Sequence, residues 1–119
     1  MAGGVFSADD VLDWFAELEA GTDDEVTDAL GEAVRQPGPV GLAAAVLVAH
    51  GCVRAVRTGQ PEIDAWLVAH RPRVDRALAD AALAAVDAGD PGLLATLPVT
   101  CPPEQLRQAL SAGPSREVI

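Results

Sequence analysis

The chain of 119 residues contains no lysine and no tyrosine, and only two tryptophans and two phenylalanines. So few aromatic residues argue against a β-sandwich or barrel, whose strands favour aromatic and β-branched side chains. Its core has to come from Ala, Val and Leu, which suit tight helix–helix contacts. All eight basic residues are arginine, the mark of a GC-rich genome, so a bacterial source is expected. Only two cysteines occur, Cys52 and Cys101, far apart and without metal-ligand spacing, which excludes a disulfide-stapled scaffold or a structural zinc site. Cys52 reads as a small core hydrophobe and Cys101 as the more reactive thiol. No apolar run reaches the ~18 residues of a membrane span, since the longest, Val40 to Val53, is broken by His50 and Gly51. The start of the chain has no positive charge and turns acidic before an apolar stretch forms, so no signal peptide is expected. A reducing cytoplasm is the compartment these features favour.

What the sequence holds in excess is acid, in one place. Residues 1 to 32 carry Asp9, Asp10, Asp13, Glu17, Glu19, Asp23, Asp24, Glu25, Asp28 and Glu32 and no arginine. The other eight of the 18 acids are balanced by the eight arginines, so the net charge of −10 belongs to the first third. Such a chain disfavours phosphate backbones and anionic lipid, so neither nucleic acid nor membrane is expected as a partner. The natural complement is a protein with a basic surface, or a cation.

Periodicity divides the chain into helices. Ser7 with Asp10, and Thr22 with Glu25, have the spacing of capping boxes that open helices at about 8–20 and 22–35. In the first, Val11, Phe15 and Leu18 recur at helical spacing, with Leu12 and Trp14 widening the apolar face. Gln36-Pro-Gly-Pro39 breaks the second, and Pro39 suits the first turn of a third helix over 39–57. That helix is apolar nearly all round, the pattern of a central element. Further helices are expected at 62–70, 72–88, 91–97 and 103–111. The predicted fold is all-α, a compact bundle of five to seven helices in a single domain over 1–113, with 114–119 a mobile tail.

The stretch Gly4-Val-Phe-Ser-Ala-Asp-Asp-Val-Leu-Asp-Trp-Phe-Ala-Glu-Leu18 resembles the opening of the bacterial domain of unknown function 4259 family. The likeness continues in Leu42-Ala-Ala-Ala-Val-Leu-Val-Ala49 and Pro61-Glu-Ile-Asp-Ala-Trp-Leu67 and spans about half the chain. Ala2-Gly3-Gly4 lacks the tryptophan that usually stands ahead of the family's glycine-rich turn. The resemblance implies an α-helical bacterial domain and no particular activity.

Several constellations could carry chemistry. Asp9, Asp10 and Asp13 read D-D-x-x-D, and carboxylates one turn apart can share a divalent cation; Asp23, Asp24 and Asp28 form a second cluster. Both clusters also lie in first helical turns, where carboxylates stabilise the positive end of the helix dipole, and that structural role is the simpler reading; no resident cofactor is expected. Trp14, His50, Trp66 and His70, with Phe6 and Phe15, could line a ligand pocket, or the aromatics could close an alanine-rich core. His50 and Cys52 project about 200° apart on a helix, so they do not form a nucleophile–base pair.

Two functions compete on these features. A non-enzymatic binding or regulatory module would meet a basic protein partner through Asp10, Asp13, Glu17, Asp24, Asp28 and Glu32. A small enzyme or ligand- or metal-binding protein would instead use the acidic helix starts and the histidines. A homodimer that buries an apolar helix face is a third alternative.

Overall fold

A computed structural model describes residues 9–36, 38–52, 58, 61–70, 74–89, 91–95, 97 and 102–112. Among them the chain is all-α: α1 (Asp9–Ala20), α2 (Asp23–Ala33), α3 (Pro39–Cys52), α4 (Pro61–His70), α5 (Arg76–Ala88), the single turn α6 (Pro91–Leu94) and α7 (Pro103–Ala112). No described residue lies in a strand.

The hub is α3. Every residue from Gly41 to Ala49 is buried, as is His50, so this helix has no solvent face over those positions. It packs against α5, α7, α2 and α1, and α5 packs in turn on α7 and α2. Val11, Phe15 and Leu18 of α1, Val26 and Leu30 of α2, Leu78 and Val86 of α5, and Leu106 and Leu110 of α7 close around it. The radius of gyration is 12.7 Å, close to the roughly 13 Å of a single domain of this length.

Local chemistry sets the helix ends. The Thr22 hydroxyl accepts from the Glu25 N–H at 3.3 Å, and the Glu25 carboxylate accepts from the Thr22 N–H at 2.8 Å, a complete capping box. The Ser7–Asp10 counterpart involves Ser7, which lies outside the described residues. The fifth helix opens later than its pattern suggests: the Asp75 carboxylate accepts the Leu78 N–H at 2.8 Å, so α5 starts at Arg76, four residues beyond Pro72. A side-chain cap overrides the proline as the start signal. The second and sixth helices also end sooner than expected, α2 at Ala33 and α6 at Leu94. Residues 53–57 of the expected third helix, the tail beyond 112, and Phe6, Arg54 and Cys101 lie outside the described residues.

Leu12 corrects the reading of α1. It is 47% exposed, because it sits about 100° round the helix from Val11 while Phe15 and Leu18 stay within one stripe. Trp14, on the stripe's other flank, is half-buried against the core.

The turn between α2 and α3 depends on two glycines. Gly38 has φ +96°, a left-handed conformation that glycine adopts without strain. At Gly41 the end of α2 lies directly on α3: a Cβ there would run into the Gln36 carbonyl and sit 3.1 Å from that of Ala33. Further along, the Asp64 carboxylate accepts both the Thr58 backbone N–H, at 2.8 Å, and the Thr58 hydroxyl, at 3.0 Å. Buried Thr58 is thereby tied to the first turn of α4. Arg107 pairs with Asp87 at 3.0 Å, linking α7 to α5.

Candidate functional site: the acidic helices α1 and α2

Amphipathic helices with one buried stripe must display the rest of their circumference. In α1 the stripe is Val11, Phe15 and Leu18, which leaves Asp10, Asp13 and Glu17 at spacings of three and four residues on a common outward side. In α2 the packing of Val26, Leu30 and Ala33 leaves Asp24, Asp28 and Glu32, each four residues apart, in a second row. All six side chains are exposed, as are Asp9, Glu19 and Glu25. None of them joins an ion pair among the described residues, where carboxylates pair with arginine only between Arg76 and Asp80 and between Arg107 and Asp87. Glu25 is committed to its cap. The other carboxylates form two solvated rows of like charge on consecutive helices that pack on each other.

Of the D-D-x-x-D cluster, Asp9 and Asp10 stand in the first turn of α1 and Asp13 just beyond it. Its neighbour Asp23–Asp28 begins only after that helix has run its 12 residues, about 18 Å at 1.5 Å per residue. Among the described residues no group of three or more His, Cys, Asp or Glu side chains is arranged to hold a metal.

Trp66 and His70, two of the four residues proposed for a pocket, are brought together. Their rings stack at 4.9 Å with a 30° tilt, and Phe15 meets Trp66 edge-on at 5.1 Å. This aromatic column fastens α1 to α4, where the alanine-rich helices leave room for large rings. The Trp66 indole N–H is buried without an acceptor among the described residues. Trp14 stands on α1, half-buried, and His50 is buried in α3. Cys52 is also buried, which pushes its thiol up from 9.0 to about 11, the positive field of Arg76 offsetting part of the rise. At neutral pH it is a protonated, unreactive thiol.

The sequence reading missed two features, the Thr58–Asp64 clasp and an apolar groove beside Arg35. The first has a faint signal in a threonine ahead of a proline-led helix with an acid in its first turn. The second is lined on α5 by alanines and a glycine, which carry no signal of a site. Among the described residues no helix is long and apolar enough to cross a membrane. Comparison with family models, curated proteins and solved structures finds no match for the chain.

Proposed function

We propose that this chain is a non-enzymatic binding or regulatory module of the bacterial cytoplasm, one that engages a basic protein surface through α1 and α2. The resemblance to the domain of unknown function 4259 family is part of the same proposal and adds no activity to it. The observation that carries the reading is the pair of exposed carboxylate rows, Asp10, Asp13 and Glu17 on α1 and Asp24, Asp28 and Glu32 on α2, none of them paired with a described arginine. Rows of like charge repel and cost stability at i,i+4 spacing. Their complement is a partner's arginines and lysines, which such a field steers into contact and holds in register.

Charge reversal provides the test. The triple variant Glu17→Arg, Asp28→Arg, Glu32→Arg changes three exposed positions and leaves the core alone. In pull-downs from the native lysate it should lose a basic partner that the wild type retains, and raised salt should release the same partner from the wild type. Identical partner sets for the two proteins would leave the rows a solubilising surface and overturn the proposal.

A further inference from the structure

A second feature, at the C-terminal end of α2, points to a small ligand. Gly31 of α2 faces Leu78 of α5, 3.9 Å from where its Cβ would be. Beyond that point the wall offered by α5 is Ala81, Ala84, Ala85 and Ala88, ending in Gly89. Without longer side chains the space stays open, as a groove of about 610 Å³. Ligand clefts commonly enclose about 300–1,000 Å³. Its other wall is the α2–α3 turn, fixed in place by Gly38 and Gly41, and Leu42 also lines it.

At the rim the chemistry changes sign. Arg35 is exposed, gives one guanidinium N–H to the Gly31 carbonyl at 3.1 Å, and has no carboxylate partner among the described residues. Arg76 and Arg107 each have one. In a chain with 18 acids and a net charge of −10, Arg35 puts a positive charge beside an apolar groove.

We infer that this groove binds an amphiphilic carboxylate, its aliphatic body lying on the α5 alanines and its head group held by Arg35. A planar carboxylate matches the guanidinium fork, which an alcohol or a cation cannot do. Filling the groove also covers apolar surface that the fold leaves in water.

Decanoate, kept below its micelle concentration and titrated into the intact ¹⁵N-labelled chain, is the test. It should give saturable shifts confined to Gly38, Gly41, Ala84, Ala88 and their neighbours. Arg35→Gln should weaken binding about tenfold, the effect of losing one charged hydrogen-bonding group, and decanol should bind the wild type about as weakly. Ala88→Trp, at an exposed position, should fill the groove and abolish the shifts without changing the helical circular dichroism. Ala84→Leu serves as a second filling variant should the first fail to fold. Shifts that never saturate, equal binding by Arg35→Gln, or equal binding of decyltrimethylammonium would overturn the inference. So would a sedimenting dimer that Ala88→Trp dissociates, because a second copy would then be the occupant.

Discussion

Replacing Gly41 with alanine should destabilise the protein even though alanine is the better helix former. The position is the third residue of α3, buried, with a neighbour on the side where a Cβ would project. That neighbour is backbone: the new methyl would collide with the Gln36 carbonyl oxygen and press on that of Ala33 at 3.1 Å. A carbonyl has no rotamer to move to, so the end of α2 must lift off α3 or the turn through Gly38 must distort. Overpacking a core costs about 1–3 kcal/mol, and a rigid obstacle puts this site near the upper end. Alanine returns ~1 kcal/mol of helix propensity, leaving a net loss of about 2 kcal/mol. For a domain of this size that is a fall in Tm of roughly 6–12 °C. The matched control is Gly31→Ala on α2, where the added methyl meets nothing nearer than 3.9 Å. There the propensity gain is unopposed, and Tm should rise by a few degrees, for a gain of ~1 kcal/mol. Thermal circular dichroism on both variants decides the matter. A Gly41→Ala variant as stable as wild type would refute the close approach of α2 to α3.

Other consequences follow from the same packing. Val46→Asp or Ala49→Asp, each at a position with no exposure on α3, should leave an unpaired charge in the core and cost several kcal/mol, measured by urea unfolding; wild-type behaviour would deny α3 its central place. Asp64→Ala takes away the acceptor of both Thr58 donors and should cost about 1–3 kcal/mol, with Asp64→Asn less damaging; an unchanged melting curve would mean the clasp is dispensable. Because burial raises the Cys52 pKa from 9.0 to about 11, its contribution to stability is intact below pH 9 and is lost as pH climbs from 9 through 11, on the order of 2 kcal/mol in all. With no lysine or tyrosine in the chain, few other groups titrate in that window, and Cys52→Ala should flatten the decline in Tm between pH 9 and 11; an equally steep decline in the variant would count against it.

What could be read from the sequence was the chemistry that acts over a few residues. The Thr22–Glu25 box is visible because both partners lie within one turn, and the central role of α3 because no polar face interrupts its apolar run. Exposure of the acids follows from period alone: with Val11, Phe15 and Leu18 facing inward, Asp10, Asp13 and Glu17 have nowhere else to point. Competition between signals and contact across helices are less legible. Pro72 and Asp75 both announce a helix, and the structure settles on the side-chain cap at Asp75. Leu12 is apolar enough for the core but 100° off the stripe. Gly41 is an unremarkable glycine until the Gln36 carbonyl is seen lying over it, and the groove that Ala84 and Ala88 line on α5 leaves no mark in the helical period.

That the acidic rows recognise a partner, and do more than lower the overall charge, is best tested by moving the same charge change around the molecule. Association of the captured basic partner would be timed for wild type, for Asp28→Arg with Glu32→Arg in the α2 row, and for Glu62→Arg with Glu104→Arg, exposed acids on α4 and α7. The proposal predicts that reversal on α2 slows association by tenfold or more while reversal on α4 and α7 leaves it nearly unchanged, and that the difference shrinks as salt shortens the screening length below ~8 Å. Equal slowing by the two double variants would show that only net charge matters, and would contradict a binding face on α1 and α2.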